Sequence, residues 1–200
     1  MSRIQTGFHD PAIVGTPAAQ WSAHWAGEAD TEAFARRLAA CPAICHATVA
    51  LHGDLGAGKT TFVRHLLRAL GVRGRIKSPT YAVVEPHSSS DCALMPDGEV
   101  LNIWHFDFYR FTDPREWEDA GFRELFASPG LKLVEWPERA AGLLGSVDAE
   151  ITLSADDDMT EPAPPAADLD PDADAIDGAR RVTLRALTPA GLRLLEAARA

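Results

Sequence analysis

Residues 53–60 read Gly-Asp-Leu-Gly-Ala-Gly-Lys-Thr and match the phosphate-binding pattern G-x-x-x-x-G-K-[ST] at every fixed position. An apolar stretch over residues 48–52, which predicts a strand, comes directly before this octapeptide. From Thr60 to Leu70, apolar residues recur three and four positions apart and predict an amphipathic helix. A strand, a glycine-rich loop and a helix in this order are the context that the pattern requires. The sequence therefore predicts a P-loop that binds a nucleoside triphosphate.

The loop residues have separate chemical tasks. Its glycines let backbone N–H groups converge on phosphate oxygens, and the helix N-terminus adds positive potential. Lys59 is expected to reach the β- and γ-phosphates, and the Thr60 hydroxyl is expected to bind Mg²⁺. The alternative is an ordinary glycine-rich turn before a helix, which the complete match and both flanks disfavour. The predicted nucleotide-binding residues are Gly56, Ala57, Gly58, Lys59, Thr60 and Thr61.

Two acidic residues stand at the ends of predicted strands, where a P-loop enzyme needs a second carboxylate. Asp107 ends the apolar stretch 100–107, and Glu135 ends the stretch 131–135. Ligands of open α/β sheets gather at the carboxyl ends of strands, so both acids are candidates for holding Mg²⁺ or water. Each acid alone could instead cap a strand or lie at the surface. Their two roles could also be interchanged.

The segment Ser78-Pro79-Thr80-Tyr81 lies between the P-loop helix and the next predicted strand. Switch segments of P-loop proteins occupy this position, and a threonine there can sense the γ-phosphate or Mg²⁺ through its hydroxyl. The alternative is an ordinary Ser-Pro turn that leads into a strand. Both interpretations of Thr80 stay open on these residues alone.

The whole pattern predicts one α/β domain over residues 21–200, with a P-loop NTPase-like sheet of parallel and antiparallel strands flanked by helices. Residues 1–20 lack periodicity and are predicted to form a poorly ordered N-terminal extension. Residues 155–179 are predicted to form a disordered tip between the last two strands. Further helices are predicted from Asp30 or Thr31 to Ala40, from Asp113-Pro114, and from Thr188-Pro189. The remaining predicted strands cover 21–25, 81–85, 149–153 and 181–187.

Charge is distributed unevenly along the chain, whose formal net charge is −10. Nine acidic residues and no Lys or Arg lie within residues 155–179, and the rest of the chain has 20 acids against 19 bases. The segment is interpreted as a solvated tip, with an acidic docking segment as the alternative. A nearly neutral body lacks the basic face that tight binding to DNA or RNA requires. Direct nucleic-acid binding is therefore not predicted.

The compartment is predicted from the cysteines and the apolar runs. Cys41, Cys45 and Cys92 are odd in number and show no disulfide pattern, and Cys41-x-x-x-Cys45 lacks a second half for a metal site. No apolar run is long enough to span a membrane, and the N-terminus lacks the layout of a secretory signal. We therefore expect free thiols in a cytoplasmic protein.

Four motifs follow one another along the chain. They are 53–61, then Lys77-Ser78-Pro79-Thr80-Tyr81 with Val84-Glu85, then His105-Phe106-Asp107-Phe108-Tyr109-Arg110 with Asp113-Pro114 and Gly121, then Val134-Glu135-Trp136-Pro137-Glu138. In this order they resemble the TsaE (YjeE) family, the small P-loop ATPases of bacterial tRNA threonylcarbamoyladenosine biosynthesis. The resemblance covers residues from about 21 to 154 and resumes at about 180. The N-terminal extension, the polar stretch 86–98 and the acidic insertion have no role in the family pattern.

The resemblance implies a role for each matching residue. Lys59 and Thr60 would hold the phosphates of ATP and Mg²⁺, and Glu135 would complete the Mg²⁺ site. Asp107 would be the Walker-B-like acid needed for hydrolysis, so that the implied catalytic residues are Asp107, Lys59 and Thr80, the last as the switch threonine. Trp136 would lie beside the nucleotide.

The resemblance also implies partners, a TsaB-like and a TsaD-like protein. TsaD transfers a threonylcarbamoyl group to adenosine 37 of tRNAs that read codons beginning with A, and ATP binding and hydrolysis by a TsaE protein reset the complex between turnovers. The chain would then meet tRNA only indirectly, through the complex, which agrees with its non-basic body.

Two other functions compete with this interpretation. A P-loop small-molecule kinase would be expected to carry an Arg-rich lid that shields the transferred phosphoryl group, and the arginines here are scattered. A protein that senses ATP without hydrolysing it differs from a slow ATPase only in turnover. The presence of both Asp107 and Glu135 favours hydrolysis.

Overall fold

The computed structural model describes residues 19–112, 117, 120–155 and 178–200. Short 3₁₀-helices cover Pro42–His46 and Pro137–Ala140. The α-helices are α1 (Glu28–Ala39), α2 (Lys59–Ala69), α3 (Phe122–Ala127) and α4 (Pro189–Arg199). The strands are β1 (Gln20–Trp25), β2 (Thr48–His52), β3 (Val84–Ser89), β4 (Leu101–Asp107), β5 (Leu131–Glu135), β6 (Ala149–Ala155) and β7 (Arg180–Ala186).

The seven strands of the described residues form one sheet in the order β1-β7-β6-β2-β5-β4-β3. The central strand β2 pairs in parallel with β5 and β6, and β4 pairs in parallel with β5. Towards both edges the pairing is antiparallel, in β3 with β4, β6 with β7, and β1 with β7. The predicted fold class, a mixed P-loop NTPase-like sheet with flanking helices in one domain, is confirmed.

Two groups of buried apolar side chains hold the sheet and its helices together. The larger group joins α1, α2 and α4 to the sheet, and α2 contributes the face that its spacing predicts, with Phe62, Val63, Leu66 and Leu67 buried. The smaller group is aromatic and lies beside β4 and β5. Its rings pack at centroid distances of 4.7–6.0 Å, the range typical of aromatic pairs. Its members include Phe106, Phe108, Phe111, Trp117 and Phe122.

Among the described elements, two begin two or more residues away from their predicted starts. Helix α1 begins at Glu28 after Gly27, and the Asp30 carboxylate, in the first turn, accepts a hydrogen bond from the Ala26 N–H at 2.7 Å. The predicted strand 81–85 is wrong at its start, because Val83 has a φ of 66° and its N–H donates to the Pro79 carbonyl. This turn delays β3 to residues 84–89, which pair with β4 as an edge strand that tolerates its proline.

Three predictions fall wholly or mostly outside the described residues. They concern the N-terminal extension over 1–20, the acidic insertion over 155–179 and the helix that begins at Asp113-Pro114. The insertion joins two strands that are described, since β6 ends at Ala155 and pairs there with Arg180 of β7. Among the described helices, none has the length and apolar character needed to cross a membrane.

Candidate functional site

The P-loop connects the carboxyl end of β2 to the first turn of α2. Gly53, Gly56 and Gly58 have φ angles of 138°, 80° and 96°, in the region that favours glycine. The first helical hydrogen bond runs from the Phe62 N–H to the Gly58 carbonyl at 2.9 Å. The N–H groups of residues 59–61 therefore lie at the helix N-terminus without an intrahelical acceptor, where an anion is favoured.

Lys59 is buried at this N-terminus. Its ammonium donates to the carbonyls of Gly53 at 2.6 Å and Asp54 at 2.9 Å, and lies 4.0 Å from the centre of the Trp136 ring. Burial lowers the Lys59 pKa, and the nearby carboxylates, Glu135 and Asp107 first, oppose this shift. Because the Lys59 ammonium is already largely excluded from solvent, it would lose few contacts with water on binding a phosphate.

Glu135, the last residue of β5, receives hydrogen bonds from two elements. The Thr60 hydroxyl, in the first turn of α2, lies 3.0 and 3.1 Å from the two carboxylate oxygens. From β4, Nε2 of the fully buried His105 lies 2.8 Å from Oε1. Since an ionised carboxylate only accepts, His105 is assigned as the Nε2–H donor. The structure thus brings together the two predicted metal ligands.

Asp107 ends β4 and is connected to the predicted switch segment. Its Oδ2 accepts hydrogen bonds from the Ser78 hydroxyl at 2.5 Å and the Thr80 hydroxyl at 2.8 Å. Its Oδ1 accepts the Tyr109 N–H at 2.9 Å. These contacts place Thr80 beside Asp107 in a buried position. The switch segment and the predicted catalytic acid therefore form one hydrogen-bonded unit.

The two acids are register partners on neighbouring parallel strands. Asp107 pairs with Glu135, and Glu135 pairs in turn with Leu51 of β2, two residues before Gly53. Paired residues lie on the same face about 4.8 Å apart. Both carboxylates consequently stand beside the P-loop at the carboxyl edge of the sheet.

The oxygen ligands at this edge fit Mg²⁺. No group of three or more His, Cys, Asp and Glu side chains in the described part of the chain could hold a metal by itself. Mg²⁺ is typically held by one or two protein oxygens together with substrate phosphates, and the Thr60 hydroxyl and Glu135 carboxylate supply such oxygens. The described residues therefore suit a metal that arrives with a nucleotide.

Trp136 follows Glu135 with a φ of 56°, a left-handed conformation that is costly for a residue other than glycine. Its ring contacts both the Lys59 ammonium and the Tyr109 ring, whose centroid is 4.9 Å away. The left-handed backbone at Trp136 thus places an aromatic face against Lys59.

The opposite side of the P-loop is formed by β6 and β7. A Cβ on Gly53 would lie 2.3 Å from the Leu153 carbonyl oxygen, and one on Gly58 would lie 2.1 Å from Arg180 Nη1. Arg180 is buried, and its Nη1 donates to the Ala57 carbonyl at 3.3 Å. The last hairpin therefore packs directly against the loop backbone.

Every site residue predicted from the sequence lies at or beside this edge, although Thr61 is buried within α2 and its side chain is not among the groups that contact the two acids. His105 has no predicted role at the site, although it stands in one of the four motifs and alternates with Asp107 along a buried strand. For Arg180 and Arg181, which follow the acidic insertion, the resemblance leaves a contact with phosphate or ribose open and gives neither a definite place. The β6–β7 pairing brings Arg180 to Ala57.

Comparison with known proteins gives a consistent result. The profile of the family described as threonylcarbamoyl adenosine biosynthesis protein TsaE matches residues 25–162. A protein of Haemophilus influenzae named tRNA threonylcarbamoyladenosine biosynthesis protein TsaE is 41% identical over 110 residues, 55% of this chain and 64% of that protein. The protein of the same name from Bacillus subtilis is 42% identical over 86 residues, 43% of this chain and 48% of its own length.

A third relative of that name, from Treponema pallidum, is 32% identical over 105 residues, covering 52% of this chain and 70% of its own length. The matched region spans less than two thirds of the Haemophilus and Bacillus proteins. Among solved structures, Bacillus subtilis YdiB superposes with a TM-score of 0.61 at 21% identity, covering 92% of this chain and 97% of YdiB. This likeness concerns the fold.

Proposed function

Because this chain belongs to the TsaE family, we propose that it is the ATP-binding and slowly hydrolysing component of the bacterial tRNA threonylcarbamoyladenosine machinery. In this role it acts in the cytoplasm and resets a complex of TsaB-like and TsaD-like proteins between turnovers. The names of its relatives support the pathway, and the fold supports nucleotide binding.

The observation that carries the proposal is the pairing of Asp107 with Glu135 beside the P-loop. Glu135 contacts Thr60 of the loop, and Asp107 contacts Thr80 of the switch segment. A small-molecule kinase shares the P-loop, but hydrolysis coupled to a conformational change calls for an acid that also contacts the switch segment. The hydrogen bonds of Asp107 supply that connection.

In this proposal the site residues have the following roles. The loop N–H groups and Lys59 bind the phosphates, and Thr60 with Glu135 holds Mg²⁺, which when bound neutralises developing charge on the phosphate oxygens. Asp107 orients the attacking water. Thr80 exchanges its hydrogen bond to Asp107 for one within the nucleotide site, and this exchange is what a partner protein can sense.

Partners rather than tRNA are the direct targets of this switch. Outside residues 155–179 the acids and bases nearly balance, 20 against 19, so the chain offers little electrostatic attraction for a phosphate backbone. The tRNA is therefore met only through the complex. Direct DNA binding is not part of the proposal.

The proposal is tested by reconstituting tRNA threonylcarbamoylation with the cognate TsaB-like and TsaD-like proteins. Wild type is compared with Lys59→Ala, which removes the phosphate-binding ammonium, and Asp107→Ala, which removes the hydrolytic acid. We expect repeated turnover with wild type and at most a single round with either variant. Equal turnover without this chain would overturn the proposal.

A further inference from the structure

His105 is a buried histidine that the roles above leave unused. It lies on β4 two residues before Asp107, on the same face of the strand, and is fully buried. Within the described residues its Nδ1 is buried without a hydrogen-bond partner. An unsatisfied buried polar atom is destabilising, so an aliphatic residue would suit this strand better if packing were its only requirement.

The hydrogen bond of the His105 ring goes to Glu135. Nε2 lies 2.8 Å from Oε1, and both side chains are almost entirely excluded from solvent, at 0% and 3% exposure. Thr60 approaches both carboxylate oxygens at nearly equal distances, 3.0 and 3.1 Å. The terminal torsion of a glutamate is soft, so such a symmetric contact does not fix the carboxylate plane. The His105 donor contacts Oε1 alone, and because a hydrogen bond prefers the plane of the carboxylate, it favours one orientation of that plane.

We propose that His105 is a positioning residue for Glu135, holding its carboxylate plane so that an oxygen remains directed to the metal site at Thr60. The inference rests on the proposed role of Glu135 in holding Mg²⁺. Residues that orient a metal ligand typically change metal affinity by about 10- to 100-fold when removed. The effect should therefore appear in metal dependence before it appears in stability.

The test is calorimetric titration of the full chain with ADP at a series of Mg²⁺ concentrations and in EDTA, which needs no catalysis. His105→Leu removes the donor at similar size. His105→Gln keeps an N–H donor at the reach of Nε2, and His105→Asn places its donor at the position of Nδ1. Thermal unfolding of each variant reports folding separately.

We expect His105→Leu and His105→Asn to need about tenfold more Mg²⁺ for the same enhancement of ADP affinity, while His105→Gln stays within about threefold of wild type. Affinities in EDTA should agree among all four proteins. Equal metal dependence in the Leu variant and wild type, or equal loss in the Leu and Gln variants, would overturn the inference. If the Leu variant does not fold, the contrast between Gln and Asn decides.

These outcomes are separate from those of the proposed function. Wild type that binds no ADP, or that leaves tRNA modification unaffected, contradicts the proposed function. Wild type that binds ADP with Mg²⁺ enhancement, together with a Leu variant of unchanged metal dependence, contradicts only the role of His105.

Discussion

The two sides of the P-loop differ in what they present to it. On the β4–β5 side, side-chain oxygens dominate, because Asp107 and Glu135 together accept hydrogen bonds from side chains of α2, β4 and the switch segment. On the β6–β7 side, the Leu153 carbonyl and the Arg180 guanidinium pack against the loop backbone. From the proposed roles of the two acids, we expect chemistry and loop shape to be supplied by different halves of the sheet and to be separable by substitution.

On the β4–β5 side, the substitution with the largest expected effect is Asp107→Asn. The amide keeps the size of the carboxylate but loses its charge and one acceptor, so it cannot orient the attacking water in the same way. We expect the rate of ATP hydrolysis to fall by about 100- to 1000-fold, as for loss of a catalytic acid or base. ATP affinity should stay within about threefold, because the loop is untouched.

Single-turnover hydrolysis and equilibrium binding measure these two quantities for Asp107→Asn. Glu124→Gln, an isosteric change in α3 away from the two acids, is the control and should behave as wild type. A parallel loss of affinity and rate in the Asp107 variant would show that the two sides are not separable.

The effect of the β6–β7 side on the shape of the loop is tested by comparing Gly53→Ala with Gly58→Ala. Both residues have positive φ, which is costly for alanine. The Gly53 methyl would meet the fixed Leu153 carbonyl oxygen, whereas the Gly58 methyl would meet the end of the Arg180 side chain. We expect the free energy of unfolding to fall by about 2–4 kcal/mol in Gly53→Ala and about 1–2 kcal/mol in Gly58→Ala.

Denaturant unfolding of both alanine variants, alone and combined with Arg180→Ala, measures these costs. Removing Arg180 should reduce the cost of Gly58→Ala and leave that of Gly53→Ala unchanged. If Arg180→Ala relieves neither variant, Arg180 does not restrict the space beside Gly58.

Substitution of Arg180 also tests the β6–β7 side, with a smaller expected effect. Arg180→Ala removes the hydrogen bond to the Ala57 carbonyl, worth about 0.5–1.5 kcal/mol. We expect ADP affinity to fall by about 3- to 10-fold, equally with Mg²⁺ and in EDTA. The neighbouring Arg181 is exposed, and Arg181→Ala should leave affinity unchanged. A loss of ADP affinity seen only in Mg²⁺-containing buffer would contradict the interpretation that the β6–β7 side acts only on the shape of the loop.

The same contrast explains which parts of the site could be predicted from the sequence and which could not. The β4–β5 side is encoded in short motifs whose chemistry is local, so Asp107 and Glu135 could be selected from their positions at strand ends. The β6–β7 side depends on pairing across the acidic insertion, and no local pattern brings Arg180 to Ala57. The late start of β3 was missed because the turn at Val83 depends on tertiary contacts of the switch segment with Asp107.

Lys59 lies between the two sides and gives the smallest predicted effect. Burial lowers its pKa below the ordinary 10.5, although Glu135 and Asp107 oppose this change. Between the folded-state pKa and 10.5 the unfolded chain therefore binds more protons than the folded chain. The contribution of Lys59 to the free energy of unfolding consequently rises as pH increases through that window, with a slope of at most about 1.4 kcal/mol per pH unit.

Lys59→Met lacks this titration and serves as the reference. Denaturant unfolding of both proteins from about pH 8 to pH 10 should show wild type gaining stability relative to the methionine variant as pH rises. A constant difference would mean that the ammonium is no harder to protonate in the fold than in the unfolded chain. A falling difference would mean that the carboxylates of the β4–β5 side outweigh burial, and that side would then hold Lys59 electrostatically as well as supply the chemistry.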